Sequence, residues 1–520
     1  MSASSPRIVV IGGGATGLGV IWDLALRGIR ATLVEQGDLC HGTSGRFHGL
    51  LHSGGRYAVR DPRSAEECIR ENRVLRRVAG PAVEPVGGYF LALPEDDPAY
   101  VRSWRAGCEA AGIPVRPVDP AEFLRREPRA NPRVATVFAV PDASIDSFRL
   151  AQQLVAGARR LGARILTRHR VVAARAQGGR VVGVEVENAQ GRVTLDADMV
   201  INAAGPWARR VGHVFGVEIP MVLAKGSHLI FNERLSSAVL NRLIPPDDGD
   251  ILVPHDVTSI LATTSLAVDE PEDVEVTEAE VALLLERGEA LVPGVSGRRV
   301  LRAFAGVRPL FDPEGSPGGM RDERAITRGL SLLDHEERDG LGGLISIVGG
   351  KLTTFRLMAE TAVDLALERM GLVAACRTRD TPLPGAHSPD PVPLHLERAR
   401  RRLGPLYPSV LDRLRADPAQ GALLCECEQV TVAEIDARAA GSRHMSDLRR
   451  QTWCAMGPCQ GTFCAHRLAG RVDAPAEELV EFVTERWRGQ RPVLWGQQAR
   501  EAAVGRSLMA QALWPAGAGW

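Results

Sequence analysis

Arg7-Ile8-Val9-Val10-Ile11-Gly12-Gly13-Gly14-Ala15-Thr16-Gly17 is a short buried-strand pattern that runs into a glycine-rich turn. Leu18 to Arg27 then carries helical periodicity and stops at Gly28. Ala31-Thr32-Leu33-Val34 reads as a second strand, and Glu35 ends it. Gly12-x-Gly14-x-x-Gly17 therefore sits between strand and helix, with an acid 18 residues beyond Gly17. That is the pattern of a dinucleotide-binding βαβ unit. Gly12 permits the tight turn, Gly14 lets the backbone approach a pyrophosphate, and Gly17 lets the helix pack closely on the strand. The helix start at Ala15 and Thr16 offers unpaired N–H groups to an anion. Glu35 can accept hydrogen bonds from ribose hydroxyls.

The motif is common to NAD and FAD proteins, and the next segment leans toward flavin. Gly42-Thr43-Ser44-Gly45-Arg46-Phe47-His48-Gly49-Leu50-Leu51-His52-Ser53-Gly54-Gly55-Arg56-Tyr57 is long, glycine-rich and full of small hydroxyl residues. Such a loop can wrap a flavin held deep in the protein. Asn202-Ala203-Ala204-Gly205-Pro206-Trp207 gives a second small-residue approach, far away in sequence.

Farther out, residues 145–215 repeat the same style, with a helix near 147–161, hairpin-like strands at 164–196 and a buried strand at Met199-Val200-Ile201. Residues 215–300 read as strands followed by an acidic helix from Glu278 to Gly288. Residues 341–370 give a strand, a Gly-Gly-Lys turn and a long helix. Five prolines in 379–394 (Pro382, Pro384, Pro389, Pro391 and Pro393) predict an extended linker. Helical segments and a cysteine cluster follow it. The chain thus reads as a large α/β flavin- or nucleotide-type unit, a linker and a small cysteine domain.

With 520 residues the chain exceeds one ordinary domain. Hydrophobic residues at 45% and charged ones at 24% describe a globular protein. The 63 basic and 63 acidic residues cancel, so a basic nucleic-acid footprint is absent. No uncharged run is long enough to span a bilayer, and the N-terminus does not read as a signal peptide. The expected location is the cytoplasm. Of the basic residues only Lys225 and Lys351 are lysines. Both lie in glycine-flanked loops and are candidates for sites that need a compact point charge. Chance survival on a surface is the plainer alternative.

Several of these segments resemble the FAD-dependent glycerol-3-phosphate dehydrogenases, and among them the large (A) subunits of the anaerobic type. The likeness is carried by Gly42 to Tyr57, Asn202 to Trp207, Lys225-Gly226-Ser227-His228, Ala305-Gly306-Val307-Arg308-Pro309-Leu310, Ala325-Ile326-Thr327-Arg328 and Gly349-Gly350-Lys351-Leu352-Thr353-Thr354. Cys425-Glu426-Cys427 and Cys459 to Cys464 extend it, so it covers roughly residues 7–500. The resemblance implies an α/β fold of the glycine/D-amino-acid oxidase type: a Rossmann-like FAD-binding domain interleaved with a β-rich substrate domain, plus a small helical C-terminal cysteine-cluster domain. The oxidoreductase unit would be 1–375, with flavin-binding parts at about 1–80, 140–215 and 300–375 and substrate parts at about 80–140 and 215–300. A linker and helical segment at 376–415, a 2Fe–2S domain at 416–475 and a tail at 476–520 would follow. It further implies oxidation of sn-glycerol 3-phosphate to dihydroxyacetone phosphate. FAD would be held by Gly12, Gly14, Ala15, Thr16, Gly17, Glu35, Thr43, Ser44, Leu51, His52, Ser53, Ala204, Gly205, Gly350 and Thr353. The substrate would meet Arg56, Tyr57 and Arg328, with His228, Arg308 and Lys351 as the catalytic set.

A dianionic phosphate beside a flavin needs several cations and fixed donors to offset its desolvation. Arg56, Arg308 and Arg328 sit in Gly- or Pro-bounded turns, although among 61 arginines each could be a solvated surface group. A neutral histidine can take the hydroxyl proton. His228 is the first candidate by resemblance and His52 the second. Lys351 could stabilise the flavin anion, a developing alkoxide or the phosphate.

In the C-terminal region Cys425-x-Cys427 is followed after 31 residues by Cys459-x4-Cys464. Thr431-Val432-Ala433-Glu434 reads as a capping box, with a second helix from Ser446 to Thr452. A third is expected from the 456–461 turn, placing Cys464 one helical turn beyond Cys459. The region resembles the bacterioferritin-associated-ferredoxin-like domain, in which four thiolates hold a 2Fe–2S cluster. Structural zinc takes the same four-cysteine set. Cys454 departs from the pattern and reads as a core residue, as do Cys40, Cys68, Cys108 and Cys376. The resemblance implies partners too. One is a membrane-associated iron–sulfur subunit that feeds quinone and places the chain on the inner face of the membrane. The other is a second flavoprotein subunit. Trp487, Trp495, Trp514 and Trp520 could anchor such an interface or cap this chain's own core. The rival readings are an amine or 2-hydroxyacid dehydrogenase of the same fold and a non-catalytic redox scaffold.

Overall fold

The computed structural model describes residues 6–313, 326–385 and 394–513. At its centre, Ile8–Ile11 is buried along its whole length. It pairs in parallel with Ala31–Glu35 on one side and Met199–Asn202 on the other. A six-stranded sheet results, in the order Leu330–Asp334, Leu344–Gly349, Met199–Asn202, Ile8–Ile11, Ala31–Glu35, Arg164–Thr167. Only the Leu330–Asp334 edge is antiparallel. Parallel strands covered on both faces carry unbroken apolar runs, which is why Ile8–Ile11 and Met199–Ile201 read as they do. Helix Ala15–Leu26 is almost entirely buried, packed between Ser147–Arg160 and Phe355–Arg369. Gly19 lies against Phe355 and Ala359, and Gly157 against Trp22, so both close approaches rest on a missing side chain.

The β-rich unit is a nine-stranded sheet. Its strands include Gly88–Ala92, Thr136–Val140, Met221–Phe231, Ile251–His255 and Thr258–Ala262. Val300–Phe311, expected with the flavin-binding parts, pairs instead with Met221–Phe231 along its length. Its alternating inward residues Val300, Ala303 and Ala305 complete the core of that sheet, and pairing outweighs sequence neighbourhood.

The cysteine region has a core of its own, built on Leu424, Val430, Ile435, Met445, Leu448, Leu468 and Phe482. Thr431 and Glu434 form the expected capping box, and a helix spans Met445–Thr452. The expected third helix begins only at Ala465. Gln460 and Gly461 take left-handed φ of 49° and 99°, which breaks any helix across Cys459–Cys464.

The domain is fastened to both the six-stranded and the nine-stranded units by specific contacts. Arg450 bonds Asp38 at 2.7 Å, Arg168 bonds Asp447 at 2.6 Å, and Arg302 bonds Glu485 at 3.0 Å. Arg149, Arg398 and Arg402 surround the ring of Trp453. The tail folds back on the chain: Val493 and Trp495 join the core of the nine-stranded sheet, and Arg506 covers Trp487. Trp514, Trp520 and linker residues Pro389, Pro391 and Pro393 lie outside the described residues. Among those described, no helix is long and apolar enough to cross a membrane.

Candidate active site and cysteine centre

A cavity of about 730 Å³ runs between the two sheets. One end is lined by Glu35, Gln36 and His169 to Val171, the middle by Gly12, Gly14, Ala15 and Thr16 with Thr43 and Ser44, and the far end by Arg308, Arg328 and Gly349 to Thr353. The middle shows how the motif works. Gly12 has φ +112°, and a Cβ there would lie 2.5 Å from the Ala203 carbonyl oxygen. A Cβ on Gly17 would fall 1.9 Å from the Gly12 oxygen. Helix Ala15–Leu26 starts at Gly14 with no side-chain cap and no acid in its first turn. Its positive end is thus open to an anion, with Ala15 N–H held by Ser44 Oγ at 2.9 Å.

Glu35 is buried and accepts Gly13 N–H at 2.6 Å and Gly37 N–H at 2.7 Å. Its carboxylate is oriented by the turn it faces. Asn202 accepts the Ala204 N–H at 3.2 Å and donates to Ser346 at 3.1 Å, which fixes the Ala203–Gly205 approach. Trp207 packs against His41 with ring centroids 5.5 Å apart and closes this stretch. A long trough with an anion-binding helix start at its middle and a fixed acid at one end fits FAD.

At the far end four cations converge. Arg56 pairs with buried Asp250 at 2.7 Å, and this partner outweighs burial and raises its pKa. Arg308 donates to Thr263 Oγ1 at 2.9 Å, the Thr264 carbonyl at 3.1 Å and Ser265 Oγ at 3.3 Å. Lys351 Nζ donates to the Arg328 carbonyl at 2.7 Å and Ser64 Oγ at 3.0 Å, and lies 4.9 Å from the Tyr57 ring centroid. Asp61 caps the Pro62–Val78 helix and also accepts from Thr327 and the Arg328 N–H, so one carboxylate sets the 327–328 turn. Behind Lys351, Arg356 and Glu71 form a buried bidentate pair at 2.7 Å that ties this turn to the Pro62–Val78 helix.

Three imidazoles form a connected group. His48 lies 5.4 Å from His52 and 6.1 Å from His228 between ring centroids, and His228 stacks on Phe304 at 4.7 Å. Burial, with Arg56 and Lys351 nearby, pushes His52 down to about 3. Burial and Arg308 do the same to His228, also to about 3. His48 is held well below its ordinary value by burial and by the other two rings. All three are neutral proton acceptors at physiological pH.

Most of the expected residues line this cavity, but four do not. Gly17 acts in packing, as the motif requires. Leu51 and Ser53 are fully buried: the Leu51 carbonyl accepts from Asn72, and Ser53 N–H donates to Asp142. These two belong to the loop's support rather than to the wall. His228 is 3% exposed and sits behind His48, its Nδ1 buried without a hydrogen-bond partner among the described residues. His48, His41, Trp207 and Asp61 are wall residues that the sequence alone does not single out. His48 lies in the glycine-rich 42–57 loop, but nothing in its spacing separates one histidine from the next. Lys225 is not in the site: it is bound to Glu280 at 3.0 Å and the Glu275 carbonyl at 2.8 Å.

In the second centre, the Sγ atoms of Cys425, Cys454 and Cys464 lie within 4.8 Å of one another, all buried. Cys459 interacts electrostatically with Cys464 and Cys427, so five cysteines share this centre. A pure thiol set fits an iron–sulfur cluster or zinc and no hard cation. Cys40, Cys68 and Cys108 are buried singly elsewhere.

The fold and the trough define a flavin-dependent oxidoreductase, and the family described as DAO, FAD dependent oxidoreductase, matches residues 7–356. The chain is 43% identical to the A subunit of the anaerobic glycerol-3-phosphate dehydrogenase of Escherichia coli (strain K12), over 97% of this chain and 96% of that one. It is 42% identical to the A1 subunit of the Haloferax volcanii enzyme, over 97% and 90%. Among solved structures, FAD-bound glycerol-3-phosphate dehydrogenase from Bacillus halodurans superposes with a TM-score of 0.70 at 20% identity, covering 96% of this chain and 97% of that one. Glycine oxidase from Geobacillus kaustophilus does so with 0.56 at 21%, covering 73% and 98%. The chain belongs to the FAD dependent oxidoreductase family, in the group of anaerobic glycerol-3-phosphate dehydrogenase A subunits. It is an FAD-dependent enzyme.

Proposed function

We propose that the chain oxidises sn-glycerol 3-phosphate to dihydroxyacetone phosphate and passes the electrons through a 2Fe–2S cluster to partner subunits and quinone. The observation that supports this most is the convergence of Arg56, Arg308, Arg328 and Lys351 at the flavin-loop end of one continuous trough. Four cations suit a dianionic phosphate better than the single carboxylate of an amino or hydroxy acid. FAD, when bound, supplies the hydride acceptor for the substrate's C2–H.

The chain's own residues do the rest. Arg308 and Arg328 hold the phosphate, while Lys351 offers a point charge beside Tyr57 to the oxygen that loses its proton. The proton goes to the imidazole group. His48 and His52 both line the cavity; His52, with its ring 5.4 Å from that of Tyr57, is the proposed acceptor, and His228 would position the group through His48. The low histidine basicity comes first from burial and then from the neighbouring cations, and the cation part belongs to the site without substrate. A bound dianion offsets that field and raises the acceptor's pKa when the proton must move. His52→Asn should lower kcat about 10²-fold or more, and His228→Asn less than that. The pH profile of kcat/KM should show no histidine limb above about pH 4, because both depressed groups are already neutral there. A limb near pH 6 should follow the substrate's second phosphate ionisation instead. Equal losses in the two variants would remove His52 from direct contact.

For the second centre, Cys425, Cys427, Cys459 and Cys464 would hold the cluster. A cluster that takes electrons singly suits a flavin that collects them in pairs. Phe463 and Leu423, 60% and 44% exposed, give apolar surface beside Cys464 and Cys425 where a partner could dock. One proposed partner is a membrane-associated iron–sulfur subunit, which would hold this chain at the inner membrane face. The other is a second flavoprotein subunit. Anaerobic glycerol 3-phosphate should bleach the flavin absorbance of the purified chain. Metal analysis should find iron and acid-labile sulfide at about two each, with a paramagnetic signal on reduction. Stoichiometric zinc without iron would end the relay reading.

A further inference from the structure

The cysteine centre holds five adjoining thiols, one more than a two-iron cluster or a tetrahedral zinc site takes. Sequence spacing names four of them and leaves out Cys454. In the fold, however, Cys454 is as deep in the centre as any ligand. Cys425, Cys454 and Cys464 are 1%, 0% and 1% exposed, with all three sulfurs within 4.8 Å. Cys427 and Cys459 are partly exposed and touch each other. The sulfurs thus run inward from Cys427 through Cys459 to Cys464, and Cys454 stands at the buried end beside Cys425. Both neighbours of Cys454, Trp453 and Ala455, take a φ of +64°, so a tight non-glycine turn delivers the thiol to this place.

Resting on the reading of this domain as a metal centre, we propose that Cys454 is a reserve thiolate ligand on its buried side, able to replace Cys464 or Cys425. On replacement, the bond from the metal to Cys464 or Cys425 would break and that thiolate would take up a proton, while the Cys454 S–H bond would give up its proton and the Cys454 sulfur lone pair would form the new metal–sulfur bond. No electron changes hands, and the metal keeps its thiolate count. Cys427, at the far end, lies outside the trio and has no such substitute.

The test uses the full-length chain, reconstituted anaerobically with iron and sulfide. Wild type, Cys454→Ala, Cys464→Ala, Cys425→Ala and Cys427→Ala are compared with the double variants that combine each of the last three with Cys454→Ala. Metal per chain, labile sulfide and the paramagnetic spectrum of the reduced protein are read. Cys454→Ala alone should load like wild type. Cys464→Ala should keep about half or more of the metal with a shifted spectrum, and the double variant should lose about tenfold. The Cys425 pair, read the same way, guards against local misfolding in either single variant. Cys427→Ala should read the same with or without Cys454. Equal metal loss in both single variants and their doubles would overturn the proposal. Loss of wild-type loading in Cys454→Ala alone would also overturn it, since Cys454 would then be an ordinary ligand. If the wild-type chain takes zinc in place of iron, the relay reading fails, and zinc content in the same variants still decides the role of Cys454. A wild-type chain that takes neither metal overturns both.

Discussion

Arg308→Ala is expected to lower kcat/KM for glycerol 3-phosphate about 10²–10³-fold while bound flavin stays at the wild-type level. Arg308 is fixed by Thr263, Thr264 and Ser265, with its guanidinium on the cavity wall. It spends no flexibility to reach a phosphate. Each charge-assisted hydrogen bond to a dianion is worth about 1.5–3 kcal/mol, and two lost together at the lower end of that range, about 3–4 kcal/mol, give the stated loss. The dinucleotide motif lies on other elements, the Ile8–Ile11 strand and the Ala15–Leu26 helix, so flavin content should not follow. Steady-state kinetics with an artificial acceptor, alongside flavin absorbance per chain, would check both halves. Wild-type kcat/KM in this variant would remove Arg308 from the site.

Gly12→Ala should strip the chain of flavin. The added Cβ would meet only backbone: Ala203 O at 2.5 Å, Ala203 C at 2.8 Å and Ala204 Cα at 2.9 Å. No rotamer can relieve that. An alanine at φ +112° also carries strain of about 1–3 kcal/mol. The part forced to move is the Ala203–Gly205 turn, which forms the opposite side of the trough. A cost of about 3 kcal/mol weakens flavin affinity about 10²-fold, enough to yield a nearly colourless preparation after purification. The measurement is the flavin-to-protein absorbance ratio, and an unchanged ratio would refute the role given to Gly12.

These two expectations differ in how they can be reached. Gly12, Gly14, Gly17 and Glu35 are legible in the sequence because their roles are local. A turn, a helix start and a strand end are set by residues a few positions apart. Glu35 still holds a surprise, since it is pinned by the Gly13 and Gly37 N–H groups rather than left open to the ribose. The substrate end is assembled from segments hundreds of residues apart, and spacing says nothing about which of 61 arginines meet. The two lysines make the point. Both sit beside glycine, yet Lys351 lines the cavity and Lys225 is tied to Glu280 in the support of the neighbouring sheet. His48 and Cys454 escape a reading of spacing for the same reason, because their neighbours come from other parts of the chain. The strand Val300–Phe311 belongs to a different layer from the one expected, because an apolar β-run does not announce its partner. The tail's Trp495 packs, half-buried, against this chain's own core.

That strand has a mechanical meaning. Arg302 near its start grips Glu485 in the C-terminal domain, and Arg308 six residues on reaches the cavity wall, about 20 Å along one stiff ribbon. The cysteine-bearing domain and the cavity-wall guanidinium are thus bolted to the same girder. Removing residues 416–520 would take away the Glu485 end of this tether, so the stiffness behind Arg308 depends on a domain far from it in sequence.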